Sequence, residues 1–133
     1  MTMGVGIRTV LLVDDEPDIR KLARLCFEAV RPWKVVLAGT AAEALALAAV
    51  ERPDVILLDV LMPDMDGSAL MSALRSRPES ADTPIIFMTG VHQKAEVDRL
   101  RALGPAGIID KPFDPMGLAD RVQRFYEAGR AGP

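Results

Sequence analysis

The chain has 133 residues, half of them hydrophobic and 26% charged, with a formal net charge of −3. This length suits one domain with one core, and the acidic balance argues against nucleic acid as a direct partner, because phosphate binding wants a basic patch. A single cysteine, Cys26, excludes an internal disulfide and a Cys-rich zinc site, and the lone His92 leaves no multi-histidine metal site or histidine triad.

The first predicted element is "TVLLV" at 9–13, an apolar run that ends directly in Asp14, Asp15 and Glu16. Three carboxylates in a row repel one another, so something positive should sit beside them. Pro17 suits the first turn of the following helix. The apolar face of that helix is Ile19, Leu22, Ala23, Cys26, Phe27 and Val30, at three- and four-residue spacing, and Cys26 reads there as inert core. Trp33 precedes the second strand, "KVVLA" at 34–38, which places it at the opposite end of the sheet from the strand-end acids. Thr40 and Glu43 have capping-box spacing at the start of an Ala-rich helix near 41–51. The third strand is "DVILLD" at 54–59, and Leu70, Met71 and Leu74 mark a helix after Gly67. The fourth is "PIIFMT" at 84–89. His92 reads as an exposed residue opening the fourth helix, which Val97, Leu100 and Leu103 mark and Gly104 stops. The fifth strand is "AGIID" at 106–110, followed by a helix carrying Leu118, Ala119, Val122, Phe125 and Tyr126. Met62, Met65, Met71 and Met88 read as gap-fillers.

Strands one, three and four show no polar alternation, the mark of a parallel sheet covered by helices on both faces. Five strands alternating with five helices give a single doubly wound α/β domain. It is expected over 8–128, between an N-terminal extension at 1–7 and a short frayed tail at 129–133 with no output domain. No apolar run approaches the roughly 20 residues of a membrane span. The N-terminal stretch is broken by Arg8 and ends in acids, unlike a secretory signal. A cytoplasmic protein without membrane insertion is expected.

Ligands of an open parallel sheet bind beyond the carboxyl ends of its strands. Strand one ends in Asp14 and Asp15, strand three in Asp59, strand four in Thr89 and Gly90, and strand five is followed by Lys111 and Pro112. Each taken alone has an ordinary structural reading, as a helix start, a turn residue, a cap or a solvated lysine. Side by side they make one pocket. Three carboxylates supply hard oxygen ligands, which suit Mg²⁺ rather than zinc. A carboxylate can also attack phosphorus and form an aspartyl phosphate. Lys111 and the metal would then neutralise phosphoryl oxygens, and Thr89 would hydrogen-bond one of them.

"LLVDDEPDIR", "DVILLDVLMPDMDG", "PIIFMTG" and "GIIDKPF" together resemble the receiver domain of bacterial two-component response regulators, the CheY-like superfamily. The resemblance covers roughly residues 8 to 128. It implies a flavodoxin-like fold with strand order 2-1-3-4-5, and phosphotransfer from a histidine kinase or a histidine phosphotransfer protein. By match, it implies that Asp59 is the phosphoacceptor, Asp15 a direct Mg²⁺ ligand, Asp14 its water-mediated neighbour and the Leu61 carbonyl a further ligand, with Mn²⁺ able to substitute. Met62 and Gly90 would offer backbone contacts to the phosphoryl group, Thr89 the switch hydroxyl, and Lys111 its cationic partner ahead of a cis bond to Pro112. One residue departs from the pattern: Ile108 stands where the family usually carries a switch aromatic. A stiff β-branched side chain there implies a different readout on the face of helix 4, strand 5 and helix 5, with an aromatic such as Phe113 as a possible replacement.

The expected function is a phosphoacceptor module, not an enzyme with a separate substrate. It would signal by protein contact as a monomer or a weak dimer through that face. A receiver cut from a hybrid histidine kinase or a larger regulator, and a phosphorylation-independent binding module, stay open. A Mg²⁺-dependent phosphatase would need a second acid two residues after its nucleophile, and Leu61 stands there. Leu61 and Val91 are apolar and cannot orient water, which implies a long-lived phosphoryl-aspartate.

Overall fold

The computed structural model describes residues 6–63, 65–90 and 93–131. Its elements run β1 (Thr9–Val13), α1 (Pro17–Val30), β2 (Lys34–Ala38), α2 (Ala41–Glu51), β3 (Val55–Asp59), α3 (Gly67–Arg75), β4 (Ile85–Thr89), α4 (Lys94–Ala102), β5 (Gly107–Asp110) and α5 (Leu118–Ala131). The strands form one parallel sheet in the order β2-β1-β3-β4-β5.

Alternation along each strand divides the core into two layers. Val10 and Leu12 of β1 face Ala23 and Phe27 of α1 and Leu118, Val122 and Tyr126 of α5. Leu11 and Val13 face the other way, against Ala44 and Ala48 of α2, Leu70 and Leu74 of α3 and Leu100 of α4. Every residue of β3 and β4 is buried, which is why those strands read as unbroken apolar runs. Each such Val, Leu or Ile contributes about 1.5–3 kcal/mol of transfer free energy.

The helix ends follow local chemistry. Pro17 opens α1. Thr40 caps α2 by accepting the Glu43 N–H at 3.1 Å, while the Glu43 carboxylate reaches back to the Gly39 N–H at 2.9 Å, one residue beyond the usual capping box. Arg52 ends α2 in the left-handed region at φ 46, just before Pro53, and Gly104 does the same after α4 at φ 82. Helix α5 runs to Ala131, and Gly129 within it does not end the helix. The residues 1–5, Val91 and His92 lie outside those described, so the expectations for the extension, for His92 and for Val91 are not met or unmet there.

Trp33 sits before β2, buried against Phe27 with ring centroids 5.5 Å apart and Arg31 over its indole. Strands β2 and β5 are the sheet edges. At one, Arg24 of α1 donates to the Val35 carbonyl at 3.0 Å; at the other, Arg121 of α5 donates to the Ile108 carbonyl at 3.2 Å.

Candidate functional site

The carboxyl ends of β1, β3 and β4 and the segment after β5 enclose a cavity of about 430 Å³, lined by Glu16, Asp59, Leu61, Thr89, Gly90 and Lys111, among others. Asp14 is fully buried and Asp59 is 4% exposed, while Asp15 is half-buried. One carboxylate oxygen from each of the three lies within 4.8 Å of the others.

Lys111 is the positive charge that the opening acids demanded. Its Nζ is 3.0 Å from Asp14 Oδ2, 3.3 Å from Glu16 Oε1 and 3.5 Å from Asp59 Oδ2. Burial pulls the ammonium down, but the hydrogen bond and charge of Asp14, then Asp59 and Glu16, raise it above the ordinary lysine range. The lysine reaches the acids because its own N–H donates to the Thr89 carbonyl at 2.8 Å, docking the end of β5 onto β4; the peptide that follows it, Lys111–Pro112, is cis.

Backbone geometry fixes the acids in turn. Asp14 N–H donates to the Ala38 carbonyl at 3.0 Å, and its Oδ1 accepts the Glu16 N–H at 2.9 Å. The Asp14 carbonyl accepts Arg20 Nη1 at 2.6 Å. That guanidinium packs over Gly39, where a Cβ would lie 2.9 Å from Nη1. Asp59 Oδ1 accepts the Leu61 N–H at 3.3 Å. The loop then closes on itself, with the Gly67 N–H donating to the Val60 carbonyl at 2.8 Å and Asp66 capping α3 through the Ala69 N–H at 2.8 Å.

One lysine does not balance these acids. Burial, and then the charge of Asp14, push the Asp59 carboxyl up from 3.8 to about 6, against the opposing pull of Lys111 and the Leu61 N–H. A pocket of oxygen donors with surplus buried negative charge is suited to a hard divalent cation, so the donor set fits such a metal.

The other sequence-predicted positions fall as follows. Thr89 is 2% exposed at the end of β4, and Gly90 lies on the cavity wall. Leu61 exposes 65% of its surface at the cavity mouth, while Met62 packs into the core layer of α2, α3 and α4. Ile108 is half-buried beside that same layer. Phe113 is buried in the opposite layer, with α1 and α5. The reading from residues alone gave Glu16, Ile19 and Arg20 no part in the pocket, although the first two line the cavity and the third holds the Asp14 carbonyl.

Comparison with known proteins agrees with this architecture. The family described as response regulator receiver domain matches residues 10–123. The chain belongs to that family. It is a receiver domain of the two-component response regulator class, with the flavodoxin-like order of strands. The chemotaxis response regulator CheY4 of Vibrio cholerae superposes on this receiver with a TM-score of 0.81 at 34% identity, covering 90% of this chain and 98% of that one. An uncharacterised 14.6 kDa protein of Leptolyngbya boryana is 38% identical over 118 residues, 87% of this chain and 88% of its own length. The probable transcriptional regulatory protein TcrX of Mycobacterium tuberculosis is 36% identical over 107 residues. The receiver spans 79% of its own length in that match but only 44% of TcrX. Among the described residues, no helix is long and apolar enough to cross a membrane.

Proposed function

We propose that this receiver accepts a phosphoryl group on Asp59 from a phosphohistidine of a sensor kinase or a histidine phosphotransfer protein. An Asp59 carboxylate oxygen bonds to phosphorus as the P–N bond breaks. The imidazole leaves and takes up a proton from solvent. The observation that carries the reading is the Asp59 carboxylate itself. It faces an open cavity 3.5 Å from Lys111 Nζ, with Asp14 and Asp15 oxygens within 4.8 Å.

Mg²⁺, or Mn²⁺ in its place, held by Asp14, Asp15, Asp59 and the Leu61 carbonyl, would supply positive charge against the phosphoryl oxygens. Lys111 serves in two ways. Before transfer it offsets the repulsion between Asp14, Glu16 and Asp59; afterwards its ammonium pairs with a phosphoryl oxygen. The Thr89 hydroxyl donates to a second oxygen, and the backbone N–H groups of Met62 and Gly90 hold the remainder. The phosphorylated receiver then signals by protein contact.

The experiment is intact mass after incubation with Mg²⁺ and acetyl phosphate, beside Asp59→Asn. Gain of one phosphoryl group by the wild type alone supports the reading. No gain in folded protein that binds Mg²⁺ would favour a binding module that works without phosphorylation.

A further inference from the structure

Helices α2 and α3 lie side by side over one face of the sheet, and the surface they turn to solvent carries almost no charge. Along α2 the exposed positions are Ala42, Glu43, Ala46 and Val50, and Val50 is 77% exposed. Glu43 is the only charged residue between Ala41 and Val50, and its carboxylate turns back onto the Gly39 N–H. Along α3 the exposed positions are Ala69 and Ser72, continued at its end by Ser76, whose hydroxyl donates to the Ala73 carbonyl. The one charge of α3, Arg75, bends away to the Ala81 and Thr83 carbonyls. Helices α1, α4 and α5 instead carry exposed acids and bases. A helix that is apolar all round is ordinarily a covered one, and a contiguous apolar patch on a soluble domain marks an interaction site.

The charge of this face lies at its two ends. Beyond the carboxyl ends of the helices stand Arg52 and Arg77, both exposed. At the amino ends stand Glu43 and Asp66, also exposed, whose carboxylates accept backbone N–H groups of their own chain. Among the described residues, none of these four side chains forms an ion pair. One end of the face is therefore basic, the other acidic, and the middle neutral.

We propose that this face pairs with the same face of a second copy of the chain, across a two-fold axis that sets the two α2 helices antiparallel. A two-fold contact presents each patch to itself. A neutral centre tolerates that, whereas a centre of one sign would repel its own image. With the axis near Ala46, Val50 of one copy falls beside Ala42 of the other, a large side chain against a small one. Arg52 stands about 14 Å along the helix from Glu43, so turning the helix end for end brings each basic end over the acidic end of the other copy. The charge match occurs twice in the dimer. A strongly charged segment of another protein would find nothing in the centre to answer it. The two helices present a footprint of about 15 by 20 Å, at the small end of specific interfaces, so the dimer is a weak one. It leaves the surface of α4, β5 and α5 uncovered, and the proposal does not depend on the chemistry at Asp59.

The test is sedimentation equilibrium of the chain between about 1 μM and 1 mM, with an amide NMR dilution series of the ¹⁵N-labelled chain at the upper concentrations. A monomer–dimer equilibrium is expected, with dilution shifts centred on Ala42, Ala46, Val50 and Ser72. Ala46→Glu should abolish the dimer, because two carboxylates would then meet across the axis. Ala46 is exposed, so this variant keeps the fold, which circular dichroism checks. Arg52→Glu should weaken the dimer about tenfold at low salt, since each rim contact is modest but is lost twice. Arg101→Glu on α4 and Arg124→Glu on α5, also exposed, should leave it unchanged. A chain that stays monomeric at about 1 mM, a dimer that survives Ala46→Glu, or unchanged affinity in Arg52→Glu would overturn the proposal. So would dilution shifts centred on α4, β5 and α5, loss of the dimer in Arg101→Glu or Arg124→Glu, or growth beyond a dimer, because a two-fold contact closes on itself.

Discussion

Replacing Asp59 with Asn should make the metal-free protein more stable at neutral pH. The folded chain buries the carboxylate to 4% exposure beside Asp14, and its pKa stands at about 6 against an ordinary 3.8. An acid raised on folding binds its proton more tightly in the folded state, so stability falls as pH rises from about 4 through about 6. Above that window the folded state carries the full deficit. A difference of about two pH units at about 1.4 kcal/mol each sets an upper bound near 3 kcal/mol. Asparagine is nearly isosteric and removes the charge. Lys111 loses one partner but keeps Asp14 and Glu16. In a domain of this size the gain should raise Tm by roughly 3 °C per kcal/mol, hence by up to about 9 °C. The assay is urea unfolding in EDTA at several pH values between about 4 and 8, wild type against variant. The gap should be largest above about pH 7 and close as pH approaches 4. Adding Mg²⁺ should stabilise the wild type more than the variant and narrow the gap again. A variant no more stable than wild type at neutral pH, or a gap that ignores pH, would refute the reasoning.

Leu61→Asn or Leu61→Glu should hasten loss of the phosphoryl group by about tenfold or more, since a polar side chain at the cavity mouth can orient water; unchanged or slower decay, followed by intact mass, would count against it. Arg20→Ala and Gly39→Ala should each lower Mg²⁺ affinity by about tenfold in calorimetric titration, the low end for a supporting contact. They should not add when combined, because both act on the same bond to the Asp14 carbonyl. Trp33 fluorescence should change little on adding Mg²⁺, because the indole packs against Phe27 and Arg31 at the far end of the sheet; a large quench would contradict that placement.

The sequence is most legible where one force dominates. Strands β1, β3 and β4 are buried on both faces, so burial alone dictates their composition and their limits show within a residue. The small differences have local causes. Strand β3 starts at Val55 and not at 54 because the Asp54 carboxylate turns to accept the N–H groups of Arg8 and Thr9, both at 2.9 Å. Strand β4 starts at Ile85 because Pro84 has a carbonyl for the Ile56 N–H but no N–H of its own. The members of the acidic pocket are legible for a related reason: a polar residue ending an apolar strand has one place to be. The supporting contacts are not. Glu16 and Arg20 lie on or beside a helix whose pattern reveals only its buried face, and their partners, Lys111 and the Asp14 carbonyl, belong to other turns of the chain. Ile108 is conspicuous in the sequence as a missing ring. That the Phe125 ring of α5 fills the space over Gly107 of β5 depends on how the helix packs against the sheet edge, which no periodicity records.

The two edge strands carry one last consequence. A parallel sheet with open sides is a template on which another extended chain could add itself. Here one carbonyl on each side is held by a guanidinium from the helix lying against it, Arg24 at β2 and Arg121 at β5. An incoming strand would have to break a charge-assisted bond and displace a long side chain before its first hydrogen bond formed. The domain is thereby steered away from fibrous self-assembly. Each guard is a single side chain, so losing Arg121 would open the β5 side of the sheet to aggregation while Arg24 still closed the other.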